Sequence, residues 1–119
     1  RKKGIADLKN YSYDEIFGVN FGMDKAQRVM TFDSGSSHAM TLKAVDLDAN
    51  GKPVKWMVEN SWGETSGHKG HIIMTDEWFD NYMFRLVVNK KYLNDKILQA
   101  AQQKPILLPF WDPMFASEE

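Results

Sequence analysis

Apolar and polar positions divide the chain into a loop-rich N-terminal third, a strand-rich middle and an apolar tail broken by proline. In the middle, residues 38–46 and 54–60 are two β-prone runs separated by Leu47, Asp48, Ala49, Asn50, Gly51, Lys52 and Pro53. Asn-Gly between such runs predicts a hairpin, because both residues tolerate the positive φ of a tight turn. Residues 72–75 and 83–89 are two further strand candidates. In the second, Phe84, Leu86 and Val88 form an apolar face while Met83, Arg85 and Val87 form a mixed one. Between them, residues 76–82 predict one or two helical turns, capped by Thr75 or Asp76. Asn94 or Asp95 caps a last helix reaching to about Gln103, with Leu93, Ile97, Leu98 and Ala101 on one face. Pro105 stops it.

The N-terminal third holds shorter signals. Ser12 followed by Glu15 fits a capping box, and Asp24 fits the cap of a short helix over residues 25–30. Asp33, Ser34, Gly35, Ser36 and Ser37 read as a loop. The tail, residues 105–119, carries Leu107, Leu108, Phe110, Trp111, Met114 and Phe115 among three prolines. Regular structure is excluded there. The apolar content predicts that the tail lies in a groove, since exposure would forfeit ~1.5–3 kcal/mol per large side chain.

Composition narrows the function classes. The 119 residues suit one domain, and 43% hydrophobic content suits a folded core. A formal charge of −1 leaves no electrostatic footprint for nucleic acid. No apolar run is long enough for a membrane span. Arg1, Lys2, Lys3 and Gly4 are basic, but no apolar segment follows as in a signal peptide. The expectation is a processed chain, or a piece of a longer one, of cytoplasmic type and mixed α and β content. The chain has no cysteine, and therefore no disulfide, thiolate metal site or cysteine nucleophile of its own.

Three sets of residues have the chemistry for a site. His38 heads one hairpin strand and Asn60 ends the other, followed by Ser61, Trp62 and Gly63. An amide oxygen beside an imidazole accepts its N–H and so fixes tautomer and ring orientation. An indole beside that bond excludes water and strengthens it. The plainer alternative is two polar residues capping a sheet. The second set, His68 and His71, has H-x-x-H spacing, but only two ligands are local, and solvated loop histidines explain it as well. The third, Asp46, Asp48 and Asn50 before Gly51, opens like a calcium loop. The bidentate Glu that such a loop needs would fall at Met57, so ordinary hairpin-loop chemistry is the better account. Trp56, Met57, Met40, Met74 and Trp78 are expected in the core, and no cofactor motif is present.

The first set belongs to a longer pattern. Ser37, His38, Ala39 and Met40, then Glu59, Asn60, Ser61, Trp62, Gly63 and Glu64, then Gly67, His68, Lys69 and Gly70 together resemble the C-terminal half of papain-like cysteine peptidases. Met74 to Phe79 and the run Trp111, Asp112, Pro113, Met114 resemble the bleomycin hydrolase and aminopeptidase C branch, as does Ser66 in place of the second Trp of papains. The resemblance implies an α+β fold: the β-rich lobe of a papain-like peptidase, with an antiparallel barrel-like sheet, short peripheral helices and a C-terminal arm. The organisation is a single unit, residues 1–119, with the lobe over 13–104 and the arm over 105–119.

The resemblance also implies roles. His38 is the general base and acid, Asn60 orients its imidazole, and Trp62 shields the bond between them. The Cys nucleophile and oxyanion-hole Gln belong to an N-terminal part absent from this chain, so the chain is expected to be inactive alone. Partners implied are peptide substrates, that N-terminal part and a homo-hexamer in the cytoplasm; no nucleic acid, membrane, cofactor or metal is implied. The arm's carboxylates, with Glu118 and Glu119 as candidates, would meet the substrate's α-ammonium group. The alternative function is a non-catalytic peptide-binding or interaction module with the same half fold. Catalysis needs His38 and Asn60 on one face of the hairpin. A two-residue turn at Asn50 and Gly51 would pair His38 with Gly63 and separate them, so the loop must be wider than two residues or a strand must carry a bulge.

Overall fold

The computed structural model describes residues 3–113. Four strands form one open sheet in the order β1-β4-β3-β2: β1 is Ile5–Ala6, β2 Thr41–Leu47, β3 Pro53–Glu59 and β4 His71–Thr75. The β2–β3 and β3–β4 pairs are antiparallel, and the short β1 adds a parallel pair on β4. Helices α1 (Tyr13–Phe17), α2 (Lys25–Met30), α3 (Asp76–Tyr82) and α4 (Asp95–Ala101) surround it, with a 3-10 turn at Lys90–Tyr92. The α+β class expected from the sequence is the class observed.

The hairpin loop is wider than two residues, and the strands it joins carry two register shifts that cancel. Gly51, at φ +77°, closes a three-residue loop in which Asp48 N–H donates to Lys52 O at 2.8 Å and Gly51 N–H to Asp48 O at 3.0 Å. The Asp48 carboxylate accepts from Asn50 N and Lys52 N, which holds its pKa below the ordinary value, the Lys52 bond contributing most. Next to the loop Leu47 faces Pro53; a first shift pairs Asp46 with Lys55 and Val45 with Trp56, and a second, between Leu42 and Ala44, restores the parity of the loop, so that Thr41 faces Glu59. That parity, carried past Thr41, puts His38, Asn60 and Trp62 on a single face.

The core is small and lies on the same face. Val58 and Met74 are the buried hydrophobic side chains among the described residues, and α3 packs on the strands that carry them, β3 and β4. Thr75 caps α3 by accepting from Trp78 N at 3.2 Å. Trp56 stacks on Phe79 at 4.5 Å and donates its indole N–H to Asp76 Oδ1 at 2.7 Å. Asp24 forms a full capping box with Gln27 at α2, and Asn94 caps α4.

Several expectations are corrected. Residues 83–89 are not a strand: alternation assigns faces but supplies no neighbouring backbone to pair with, and Val87 is fully exposed. Ser12 precedes α1, yet its hydroxyl makes no capping bond. The strand β1 had no signal in sequence, because two residues are too few for a period. The part of the tail that is described, residues 105–113, leaves Ile106, Leu107 and Phe110 exposed, so the described residues provide no groove for it. No described helix is long and apolar enough to cross a membrane.

Gly4 and Gly67 bring β1 onto the loop before β4, where Gly4 O accepts from Ile73 N at 2.7 Å. Gly67 sits at φ +60°, and a Cβ there would overlap His71 O. Both the left-handed backbone and the contact forbid a side chain. Gly67→Ala is expected to lower stability by ~2 kcal/mol or more, measured by urea unfolding of the intact protein with unchanged m.

Candidate active site

The site grows from the end of β3. Asn60 follows the last ladder residue, is 8% exposed, and donates its backbone N–H to Gly70 O at 2.9 Å. Gly70 and Lys69 form the centre of a tight hairpin turn with φ +82° and +50°, flanked by the reciprocal backbone bonds of His68 and His71. Both positive φ values fit the mirror-image turn that suits strand twist. Asn60 is thereby tied to a rigid reversal before its side chain is considered.

Asn60 Oδ1 accepts two hydrogen bonds, from Ser61 N at 2.8 Å and from His38 Nε2 at 2.8 Å. A backbone N–H only donates, so the atom facing Ser61 is the amide oxygen. The same oxygen faces His38, so Nε2 must carry a hydrogen. The neutral ring is then the Nε2–H tautomer, with Nδ1 left as a lone-pair acceptor able to take a proton. The Asn60 Nδ2 group is buried without an acceptor among the described residues.

Trp62 closes one side, its ring 5.3 Å from the imidazole and tilted by 34°. Half of Trp62 remains exposed. An open cleft of about 310 Å³ lies alongside, lined by Ala39, Met40, Thr41, Glu59, Asn60 and Ser61. Glu59 is paired with Lys43 at 3.0 Å, and that bond and charge hold its carboxyl below the ordinary range.

His38, Asn60 and Trp62 are brought together as the sequence predicts. The other sets are not assembled into sites. His68 and His71 flank the turn, with His71 Nδ1 donating to Lys69 O at 2.9 Å. Asp48 is spent on its own loop, and among the described residues no three His, Asp or Glu side chains gather to hold a metal. Glu118 and Glu119 lie outside the described residues. Sequence reasoning missed Ser61 N–H as the second donor to Asn60; the adjacency of the two residues was the available signal.

Comparison with known proteins extends this picture. A model of the Peptidase C1-like family matches residues 1–115. The bleomycin hydrolase of Rattus norvegicus is 48% identical over 118 residues, covering 97% of this chain and 26% of that protein. The aminopeptidase C of Lactobacillus delbrueckii subsp. lactis is 44% identical, covering 98% and 26%. A crystal structure of PepW from Lactobacillus rhamnosis HN001 superposes with a TM-score of 0.85 at 44% identity, covering 98% of this chain and 26% of that one. The chain thus spans about a quarter of the length of the relatives it matches.

The two-donor geometry fixes a measurable state. In ring-nitrogen-labelled protein, His38 should show a protonated Nε2 and an unprotonated Nδ1 when neutral, and Asn60→Ala should mix the two tautomers. A wild-type ring already mixed would contradict the assignment.

Proposed function

The chain belongs to the Peptidase C1-like family, and from that premise we propose that it is the C-terminal, His- and Asn-bearing lobe of a cysteine aminopeptidase of the bleomycin hydrolase and aminopeptidase C type. The observation that carries the reading is the 2.8 Å bond from His38 Nε2 to an amide oxygen already pinned by Ser61 N–H. It leaves Nδ1 as the only ring nitrogen free to exchange a proton with a nucleophile.

The nucleophile is a cysteine outside this chain, which has none. His38 Nδ1 takes the thiol proton, and the resulting imidazolium stabilises the thiolate and lowers the thiol pKa. The thiolate attacks the scissile carbonyl carbon. As the C–N bond breaks, the imidazolium gives its proton to the leaving amine, and a thioester forms. Neutral His38 then draws a proton from water, whose oxygen displaces the thiolate and releases the acid. Throughout, Asn60 keeps the ring in plane and Trp62 excludes water from their bond. The oxyanion donor, a Gln in this reading, also belongs to the missing part. The buried Asn60 Nδ2, without an acceptor among the described residues, supports further protein packing at this point, since buried donors are seldom left unpaired.

The arm gives the specificity. Pro113 shares a small cavity with Ser34, Gly35 and Ser36, two residues short of His38, which supports a tail running towards the site. A carboxylate of the arm, from Glu118, Glu119 or the chain end, would pair with the substrate's α-ammonium group and confine cleavage to the N-terminus. The unit divides into a lobe over 13–104 and an arm over 105–119. The full enzyme is a cytoplasmic homo-hexamer in this reading.

The deciding experiment takes the intact natural protein, maps what precedes Arg1, and assays N-terminal amide hydrolysis with and without E-64. An upstream Gln and Cys with E-64-sensitive activity supports the proposal; a natural protein lacking them makes this a peptide-binding module. In the intact enzyme, Asn60→Ala should lower kcat about 10²-fold with little change in KM, because a misaligned imidazole affects the transition state. Deleting residues 116–119 should permit cleavage of N-blocked peptides, read by mass spectrometry of the products; an unchanged product pattern would refute the arm's role.

A further inference from the structure

His38 is exposed and sits in a segment without regular structure, between the end of α2 and the start of β2. Its side chain is held by Asn60 and Trp62, which leaves the question of what aims its backbone. On the upstream side the constraint converges on Arg28. The Arg28 carbonyl accepts from Asp33 N at 2.8 Å and from Ser34 N at 3.2 Å. With Phe32 N–H donating to Val29 O, this closes α2 in a Schellman pattern. The reversal requires Phe32 to stand at φ +61°, a conformation that bulky residues avoid. A strained residue of this kind persists only where its surroundings over-determine it.

The Arg28 side chain adds contacts on both sides of that turn. Its guanidinium donates to Ser34 Oγ at 3.3 Å, to Met23 O at 2.9 Å, and to both Asn81 O and Asn81 Oδ1 at 3.2 Å. It also lies over the Tyr82 ring at 5.0 Å. One planar fork thus fastens three segments: the entry to α2, the turn at Ser34, and the C-terminal end of α3. Lys25 adds bonds from its ammonium to Asp80 O and Met83 O, docking the same two helices. Since α3 is fixed on the sheet through Trp56, Arg28 connects the core to the turn four residues before His38. Ser34, Gly35 and Ser36 then line a cavity of about 30 Å³ with Val29, Phe84, Arg85 and Pro113, so the turn lies against the described end of the tail.

We propose that Arg28 is a positioning residue for His38: its fork, through Ser34, sets the start of the loop that delivers the imidazole to Asn60. The proposal rests on reading His38 as the catalytic base, and its geometric part is testable apart from catalysis. A lysine has no planar fork and meets these acceptors only singly, so Arg28→Lys should not restore function.

The test uses the intact protein and two readouts. The first is carbethoxylation by diethylpyrocarbonate, which attacks unprotonated imidazole nitrogen, with the rate at each histidine followed by peptide mass mapping. Arg28→Ala and Ser34→Ala should each raise the His38 rate severalfold and leave His71 unchanged, because His71 is held by Lys69 O independently of Arg28. The second is hydrolysis of an N-terminal amide, where kcat should fall roughly tenfold while KM stays within about twofold, and Arg28→Lys should behave like Arg28→Ala. Unchanged His38 labelling in a folded Arg28→Ala protein overturns the proposal, as does an equal rise at His71. If Arg28→Ala does not fold, Ser34→Ala decides alone by the same two outcomes. Absence of peptidase activity in the wild-type protein would remove the catalytic reading, while the labelling ratio would still decide the positioning.

Discussion

The amide oxygen of Asn60 has two lone pairs and two donors, and the rest of the site follows from how they are assigned. Ser61 N–H takes one lone pair from one residue away, with a geometry fixed by the chain itself. The other is then available only to a donor, which has His38 present Nε2–H and leaves Nδ1 as the lone-pair nitrogen of the neutral ring. A lone His–Asn contact would leave amide orientation and tautomer both ambiguous. The backbone donor removes both ambiguities together, and Gly70 O anchors the whole arrangement through Asn60 N.

The sheet exists, from the site's point of view, to supply parity. The loop closed by Asp48 and Gly51 sets a register, the irregularity between Asp46 and Leu47 shifts it by one, and that between Leu42 and Ala44 shifts it back. With only one of the two shifts, His38 would project from the face opposite to Asn60. The same face carries Val58, Met74 and Trp56, so the polar pair sits at the open end of the hydrophobic layer that α3 covers. A core this small, with many large apolar side chains exposed, accords with a chain spanning about a quarter of the length of its relatives.

Much of this was legible in sequence because it is local chemistry. Asp24, Thr75 or Asp76, and Asn94 or Asp95 each announced a helix start, since a cap needs only a short polar side chain within three residues of its target; the caps that form are Asp24, Thr75 and Asn94. Ser12 failed the same test, its hydroxyl making no bond to the helix. The hairpin was legible from Asn50 and Gly51, and the need for either a loop wider than two residues or a bulge from the requirement that His38 and Asn60 share a face. Residues 83–89 misled because a period of two describes faces and says nothing about a pairing partner. β1 was invisible because Ile5 and Ala6 are ordered only by Ile73 and Met74, far along the chain.

By itself, then, the sequence determined the family pattern, the identities of His38, Asn60 and Trp62, and the absence of a cysteine from this chain. Those are facts of residue type and spacing, and they follow from local rules. The tertiary structure decided the tautomer of His38, the positions of the two register shifts, and the convergence of Arg28 on Met23, Ser34 and Asn81. Each of these depends on groups distant in sequence competing for the same lone pairs or the same space, and a hydrogen bond between them has no signature until the chain has folded.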